Sequence, residues 1–266
     1  MSDRLVGKRV LVTGAAQGMG RSIAVMAATQ GAESVTVADL KPEAAEETAE
    51  LVRSAGAKAA VVLADLTDSG DIRRMIDESV AFAGGLDTLI HNAGIIDSVL
   101  MDSANFDSLE ERVWDTVFNV NVKAVWIASQ HAAPHLREST RGPSIVNSAS
   151  VSGINGTQNA VAYGASKAAL IQLTKSMAVA LSPQVRVNAF LPGAIATPMA
   201  MEFLDSVEDR EYTMNHMTGA HLVPRFGEGD EVAEVACFLA SDAASFVTGG
   251  IYAVDGGTLA WRGLRG

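Results

Sequence analysis

The stretch Lys8-Arg-Val-Leu-Val-Thr-Gly-Ala-Ala-Gln-Gly-Met-Gly20 joins a short apolar run to three closely spaced glycines. Residues 8–12 predict a strand, and the apolar spacing in residues 21–30 predicts a helix. Glycine lets the chain turn sharply and lets its backbone approach a pyrophosphate, which the free N–H groups of a helix start can bind. The stretch therefore predicts a strand, a tight turn and a helix at one end of a dinucleotide site.

Six further apolar runs predict strands, and helical patterns alternate with them along the chain. The runs are residues 35–38, 58–63, 87–90, 144–147, 185–190 and 250–254. Continuous apolar strands that alternate with helices indicate a parallel sheet covered on both faces. No linker or change of composition divides the 266 residues, so one domain over residues 1–266 is expected.

Asp39 ends the second predicted strand, nineteen residues after Gly20. A carboxylate there can accept two hydrogen bonds from the ribose hydroxyls of NAD and would repel the 2′-phosphate of NADP. Residues 15–17 contain no Arg or Lys that could pair with that phosphate, although Lys41 lies close in sequence. The pattern favours NAD, and the alternatives for Asp39 are a solvated strand end or the cap of the next helix.

Tyr163 and Lys167 lie four residues apart in an alanine-rich helix predicted over residues 160–181. Positions i and i+4 share a helix face, so the ammonium would lie beside the phenol and lower its pKa from about 10 toward neutrality. Ser150 precedes Tyr163 by thirteen residues. The three residues together indicate an enzyme, whereas a Tyr-x-x-x-Lys pair alone is also common on helix surfaces.

The formal net charge is −11, and no basic stripe offsets this acidic excess. The charge therefore disfavours nucleic acid and anionic membranes as partners. The chain has no apolar run long enough to cross a bilayer and no signal-peptide core at its start, so a cytoplasmic protein is expected. The single cysteine, Cys237, lies in an apolar helix pattern typical of a buried small hydrophobe.

His131 and His135 have the i, i+4 spacing of a metal site, but no nearby Asp, Glu or Cys completes a ligand set. Pro134 between them argues against a regular helix interior. The two histidines therefore suit a helix surface or a subunit contact, and no metal is expected.

These residues together resemble the short-chain dehydrogenase/reductase family, in its classical branch, over nearly the whole chain. Further family marks follow in order: Asp65-Leu66, Asn92-Ala93-Gly94, Asn121, Pro192-Gly193 with Thr197, and Val254-Asp255-Gly256-Gly257. The resemblance implies a Rossmann-type, doubly wound parallel sheet of order 3-2-1-4-5-6-7 with helices on both faces. It also implies a homotetramer, which the alanine-rich helix and the apolar ending at residues 258–261 support.

The resemblance also implies roles for individual residues. Tyr163 would be the acid/base, and Ser150 would hold the substrate oxygen. Lys167 would bind the ribose hydroxyls and lower the tyrosine pKa, and Asn121 would anchor a water linking Lys167 to solvent. Implied cofactor contacts are Gly14, Gln17, Gly18, Met19, Gly20, Asp39, Asp65, Leu66, Asn92, Ala93, Gly94, Tyr163, Lys167, Pro192, Gly193, Ile195 and Thr197. The substrate pocket would include Ser150, Ser152, Gln158, Asn159, Tyr163 and Met199.

Two positions depart from the family pattern. His91 stands where the family usually has asparagine, and we interpret it as structural because the acid/base role already has an occupant. Ser148-Ala149 replaces the usual Ile-Ser before Ser150, which leaves open which serine is active, although the thirteen-residue offset favours Ser150.

Residues 194–224 are expected to form a substrate lid. Within them, residues 199–223 alternate apolar and acidic side chains, which predicts a mobile amphipathic flap with Pro192-Gly193 as inner hinge and Pro224 as outer boundary. Its methionines suit an apolar, shape-tolerant pocket.

The sequence thus predicts an oxidoreductase that uses NAD to interconvert a secondary alcohol and a ketone. The alternatives are an NADPH-dependent reductase of a ketone or 3-oxoacyl thioester and, from another class, a nucleotide-sensing binding protein. Steroids, cyclic alcohols, diols and aryl carbinols fit the predicted pocket equally well.

Overall fold

The fold is built around one parallel sheet, seen in a computed structural model that describes residues 3–101, 106–156, 160–206, 209–219 and 221–261. Its strand order is 3-2-1-4-5-6-7, and every strand pair is parallel. The strands are β1 (Arg9–Thr13), β2 (Ser34–Asp39), β3 (Lys58–Leu63), β4 (Thr88–His91), β5 (Ser144–Ser148), β6 (Arg186–Pro192) and β7 (Ile251–Val254). The helices are α1 (Gly18–Thr29), α2 (Pro42–Ser54), α3 (Ser69–Ala83), α4 (Glu111–Phe118), α5 (Ala124–Glu138), α6 (Val161–Leu181), α7 (Pro198–Ser206), α8 (Arg210–Thr218) and α9 (Gly229–Ala240). The predicted fold class and strand order are confirmed.

The predicted strands agree with the observed strands to within two residues at each end. The largest difference is at β6, where Pro192 continues the strand by pairing with Val254 of β7. A proline cannot donate to a ladder, which made this end hard to predict. The ladder continues because the next N–H, that of Gly193, donates to the Val254 carbonyl over 3.1 Å.

Apolar side chains on the two faces of the sheet form two separate core clusters. Val10 and Val12 of β1 belong to one cluster, together with Ile23 of α1 and Val232 of α9, and Leu11 belongs to the other. Successive strand residues point to opposite faces, and burying each such side chain contributes about 1.5–3 kcal/mol. The helices therefore cover both faces of the sheet, as the continuous apolar strands predicted.

Cys237 lies in the first of these clusters and is completely buried. Burial raises the pKa of its thiol to about 12. The reactive thiolate is therefore scarce at neutral pH, in agreement with its interpretation as a small core hydrophobe.

The chain order reverses between β1 and β4, and this opens a crevice at the carboxyl ends of the two strands. Thr13 at the end of β1 lies beside His91 at the end of β4. The Asn92 side-chain amide, just after β4, donates to the Gly14 carbonyl, just after β1, over 3.0 Å. Open α/β sheets bind ligands in such a crevice, so the fold brings the two family segments to one site.

Helix α5 runs through Pro134 without interruption, so the argument that this proline breaks the helix was wrong. A proline removes only one donor, and buried neighbours such as Leu136 keep the helix packed. His131 lies on the helix surface, where its Nε2 is 2.8 Å from Asp77 Oδ1 of α3. Within the described ranges, no three His, Cys, Asp or Glu side chains are arranged to hold a metal ion.

The segment expected to form a lid contains α7 and α8 between two anchored ends. At its first end, Ile195 forms an isolated bridge with Gly227, and the Ala196 N–H donates to the Gly227 carbonyl over 2.8 Å. The bridge closes residues 196–226 into a loop whose two ends are adjacent.

The second end of the lid is held to the sheet. The backbone N–H groups of Leu222 and Val223 both donate to the Gly256 carbonyl, just after β7, at 2.7 and 3.0 Å. These hydrogen bonds hold Leu222 and Val223 beside the end of β7, so we expect any movable part to end before Leu222 and not at Pro224. The mobility of α7 and α8 stays a prediction.

Helix α6, with 21 residues, carries Lys167 and Lys175 within its span. None of the helices in the described part of the chain has the length and apolar character required to cross a lipid bilayer.

Candidate active site

The turn between β1 and α1 holds three glycines that the backbone geometry requires. Gly14 and Gly18 have φ of +65° and +55°, where other residues are strained. A Cβ on Gly20 would lie 2.0 Å from the Gly14 carbonyl oxygen. Helix α1 starts at Gly18, between Gln17 and Met19, and has no acidic residue in its first turn. Its free N–H groups and the positive end of its dipole are therefore available to a pyrophosphate.

Asp39 ends β2 with its carboxylate against this turn. Oδ2 accepts the Ala16 N–H over 2.9 Å, and Oδ1 accepts the N–H groups of Leu40 and Lys41 over 2.8 and 3.1 Å. A carboxylate has about four acceptor positions, so about one is left for a ribose hydroxyl rather than the two expected from the sequence. The cap position of α2 is occupied by Lys41, which excludes the capping alternative for Asp39.

Two cations near Asp39 are engaged by other protein groups. Lys41 Nζ donates to Gln17 Oε1 over 3.3 Å. The Arg21 guanidinium donates to the Ala16 carbonyl over 2.7 Å and forms an ion pair with Glu47 at 2.9 Å. No sequence pattern sets Arg21 apart, because it falls within the regular pattern of α1. A 2′-phosphate would have to compete with these contacts.

The Asp65-Leu66 segment follows β3 as predicted. Asp65 Oδ1 accepts both the N–H and the hydroxyl of Thr67, over 2.8 and 2.7 Å, which fixes the turn after the strand. Leu66 lines a small internal cavity together with Thr13 and His91. The segment therefore borders the crevice from the β3 side.

His91 is buried at the end of β4, and its Nε2 is 3.0 Å from the Ser129 hydroxyl of α5. Burial lowers the pKa of the imidazole to about 3, so the ring is neutral at physiological pH. These contacts support the interpretation of His91 as a structural residue that links β4 to α5.

Tyr163 and Lys167 lie one turn apart on α6, and Lys167 Nζ is 5.4 Å from the centre of the Tyr163 ring. The Ser150 hydroxyl hydrogen-bonds the Tyr163 phenol and accepts the Ser152 N–H over 3.1 Å. Ser148 is the last residue of β5, and its carbonyl accepts from Lys167 Nζ over 2.7 Å. Of the two candidate serines, Ser150 therefore contacts the tyrosine.

The pKa values of these side chains follow from their burial. Burial raises the pKa of Tyr163 above 10, and the hydrogen bond with Ser150 offsets this only in part. Burial also lowers the pKa of Lys167 to about 8. The pKa of Tyr163 is therefore raised and not lowered toward neutrality as expected, because removal of the phenol from water outweighs the Ser150 hydrogen bond.

Asn121 is fully buried in a single π turn, Asn119–Lys123, between α4 and α5. Its Oδ1 accepts the Ile95 N–H, and its Nδ2 donates to the Ile95 carbonyl, both over 2.9 Å. Nδ2 also donates to the Ser166 hydroxyl over 3.0 Å. π turns are frequent at functional sites, and this one clamps the backbone after Gly94. The role of Asn121 in holding a water stays a prediction.

Gly94 and Lys167 provide a test of whether a ribose fits here. A Cβ on Gly94 would lie 3.2 Å from both Lys167 Nζ and Asn121 Oδ1, so the glycine keeps the space beside the ammonium open. Lys167 has three N–H donors, of which one bonds to Ser148. Among the described residues, the buried Asn92 Oδ1 also has no protein partner. The remaining N–H donors of Lys167, the space beside Gly94 and the start of α1 without acidic residues together suit a dinucleotide.

Pro192 ends β6, and the chain continues through Gly193, Ile195 and Thr197 toward the same crevice. A Cβ on Gly193 would lie 2.9 Å from Asp255 Cα, which explains the glycine. A Cβ on Gly18 would lie 3.3 Å from the Thr197 methyl group, so Thr197 lies across from the start of α1. Its hydroxyl accepts the Ala200 N–H over 3.3 Å at the start of α7.

The predicted substrate residues are only partly described. Ser152 lies in the short turn Val151–Gly153 beside Ser150. Gln158, Asn159 and the side chain of Met199 lie outside the described part of the structure. Ile95, Leu100 and Met101 pack with Ala162, next to Tyr163, which makes this side of the site apolar.

Asp97 is a buried residue of this site that the sequence analysis missed. Its carboxylate accepts the backbone N–H groups of Ala162 and Tyr163 over 2.9 and 2.8 Å. An aspartate in a loop has no local pattern that points to a partner 65 residues away. The one available signal was that Ala160, just before α6, has no side chain able to cap the helix, so another residue must bind its first N–H groups.

Three comparisons agree with this geometry. The family model described as enoyl-(acyl carrier protein) reductase matches residues 14–258. The 3-oxoacyl-[acyl-carrier-protein] reductase of Thermotoga maritima is 36% identical over 96% of this chain and 98% of its own. Cyclohexanol dehydrogenase of Acinetobacter sp. is 36% identical over 96% of both chains.

A solved structure of carveol dehydrogenase from Mycobacterium avium in complex with NAD superposes with a TM-score of 0.89. It is 30% identical and covers 97% of this chain and 99% of its own. The matched length, the strand order and the clustered Ser150, Tyr163 and Lys167 lead to one conclusion. This chain belongs to the short-chain dehydrogenase/reductase family of oxidoreductases.

Proposed function

We propose that this protein uses NAD to interconvert a secondary alcohol and a ketone. The observation that carries the proposal is the cluster of Ser150, Tyr163 and Lys167 at the crevice, with Asp39 at its other end. Relatives named as secondary alcohol dehydrogenases, such as cyclohexanol dehydrogenase, support it.

The bound nicotinamide would supply a hydride acceptor for the carbinol carbon. Tyr163 would take the hydroxyl proton in oxidation and return it in reduction. The single O–H of Ser150, which bonds the phenol in this structure, would turn to the substrate oxygen and donate to it as charge develops there. Lys167 would hold the ribose hydroxyls with the donors that Ser148 leaves free.

NAD is proposed over NADP because Asp39 places a negative charge against the glycine turn. The 2′-phosphate of NADP would meet this carboxylate, while Arg21 is already paired with Glu47. The complex of carveol dehydrogenase with NAD agrees with this choice.

The second candidate is an NADPH-dependent reductase of a 3-oxoacyl thioester. The 36% identity to the Thermotoga maritima reductase favours it, and Asp39 argues against it. Acidic residues within the expected lid, such as Glu211, would also repel an acidic carrier or substrate.

We further propose a cytoplasmic homotetramer. Val179 on α6 and Phe246 before β7 are 81% and 104% exposed, and the neighbouring Ala178 lies 3.7 Å from the Cβ position of Gly249. Large exposed apolar side chains in one region are typical of an interface.

The proposed function is tested by turnover with NAD or NADP, at equal concentrations, over a panel of cyclic, aliphatic, aryl and steroid alcohols. The absorbance of the reduced nicotinamide cofactor reports the rate, and the Tyr163→Phe variant is the negative control. NAD should support turnover with at least about a tenfold advantage. Faster turnover with NADP would favour the second candidate, and binding of NAD without any turnover would indicate a nucleotide-sensing protein.

A further inference from the structure

We propose that Asp97 is a positioning residue that fixes Tyr163 in its working position, an inference that rests on the function proposed above. Asp97 is completely buried, and its two carboxylate oxygens bind two successive N–H groups of α6. One of these belongs to Tyr163 itself, at 2.8 Å. The carboxylate therefore holds the backbone from which the phenol projects.

Helix α6 needs this external carboxylate because its own sequence provides no cap. Ala160 at the cap position makes no side-chain hydrogen bond, and the first intrahelical bond runs from the Gly164 N–H to the Ala160 carbonyl. The N–H groups of residues 161–163 therefore have no partner within the helix. Asp97 accepts two of them, and its negative charge also suits the positive end of the helix dipole.

The hydrogen bonds around Asp97 and Tyr163 form a circuit, which is closed by the backbone of residues 95–97. Asn121 clamps both backbone groups of Ile95, two residues before Asp97. Asn121 also donates to Ser166, whose hydroxyl donates to the Tyr163 carbonyl over 2.7 Å. The backbone N–H and C=O of Tyr163 are thus both tied to the same framework. Such a circuit restrains the tyrosine in position as well as in orientation.

The circuit also explains why the loss of Asp97 should lower the rate of turnover. The phenol must meet both the Ser150 hydroxyl and the substrate oxygen, and displacement by about 1 Å can cost about 100-fold in rate. Asp97 binds only the start of α6, whereas Lys167, which would hold the ribose, lies one turn further along and is also held by the Ser148 carbonyl. The cofactor contacts on β1, α1 and β2 lie on other elements. Loss of Asp97 should therefore lower kcat much more than it changes the KM for NAD.

The test uses Asp97→Asn and Asp97→Ala in the full chain, with Asp87→Asn as the matched control. Asparagine keeps the shape but turns one acceptor into a donor that faces an N–H group. Asp87 is equally buried and accepts the Arg9 N–H, but it lies before β4, at the amino end of the sheet and away from the crevice. Both changes should lower Tm, so stability alone cannot distinguish them.

Asp97→Asn should lower kcat by about 10- to 100-fold, with the KM for NAD within about threefold of the parent value. Asp87→Asn should keep kcat within about twofold, assayed well below its Tm. Amide hydrogen exchange at residues 162 and 163 should accelerate in Asp97→Asn and not in the control.

Equal kcat losses in the two variants, or a loss confined to the KM for NAD, would overturn the positioning role. Unchanged exchange at residues 162 and 163 would overturn it as well. A parent protein without alcohol turnover would instead refute the proposed function, and the exchange measurement would still report whether Asp97 holds the start of α6.

Discussion

Replacing Lys167 with methionine should make the fold more stable at pH 7 while it removes turnover. The lysine is buried, and its pKa is about 8 in the folded protein against 10.5 for an exposed lysine. Because the folded-state pKa is the lower one, the folded protein holds this proton less tightly than the unfolded chain. Stability is therefore reduced below pH 8 and recovers as the pH rises from about 8 to 10.5.

The magnitude follows from these two pKa values. A tenfold change in proton affinity corresponds to about 1.4 kcal/mol, so the buried charge costs about 3 kcal/mol at pH 7 and about 1 kcal/mol at pH 9.5. Methionine removes this cost but leaves the Ser148 carbonyl without its donor, a loss of about 1 kcal/mol. The variant should be more stable by about 2 kcal/mol at pH 7 and nearly equal to the parent at pH 9.5.

Urea unfolding at these two pH values, at one fixed protein concentration, measures the difference. Lys175→Met is the control, since Lys175 is exposed two turns further along the same helix and should change stability by no more than about 0.5 kcal/mol. A Lys167→Met protein that is less stable than the parent at pH 7 would refute the reasoning. A gain in the stability of Lys167→Met over the parent that does not shrink by pH 9.5 would refute it as well.

Five further predictions concern cofactor choice, the proton acceptor, the pH dependence, the lid and the assembly. Asp39→Ser should narrow the preference for NAD over NADP, measured as the ratio of kcat/KM values; an unchanged ratio would mean that Asp39 does not select the cofactor. Tyr163→Phe should lose about 100-fold or more in kcat while it keeps NAD affinity, and a variant that retains a tenth of the parental kcat would place the chemistry elsewhere. Parental alcohol oxidation should rise with pH into the alkaline range, because the phenolate accepts the proton and burial raises the pKa of Tyr163; a rate that falls above pH 8 would contradict this. Hydrogen exchange in α7 and α8 should slow when NAD and a substrate analogue bind, whereas equal protection in both states would indicate a rigid wall. Light scattering should give a mass near four chains of 27.7 kDa, and a monomer mass at micromolar protein would refute the assembly.

Most of the fold could be predicted from local patterns in the sequence. Apolar runs located the strands, because strands and helices impose short periods on the sequence. The roles of Ser150, Tyr163 and Lys167 came from the resemblance to the family. The errors came from effects without a local pattern. Burial, which set the direction of the Tyr163 pKa, depends on elements distant in sequence, and so do the bonds of Asp97 and of Leu222.

The bridge between Ile195 and Gly227 has a consequence for how substrate choice can change in this family. Because it brings both ends of the intervening segment together, the chain between them can lengthen, shorten or be exchanged at a small cost in closure entropy, about 0.6 kcal/mol for each doubling of length. Ser150, Tyr163 and Lys167 are held by β5 and α6, which lie outside that segment. If this segment selects the substrate, as we expect, its exchange would leave the reaction centre unchanged, and the residues between the two ends would be the target for redesigning substrate choice.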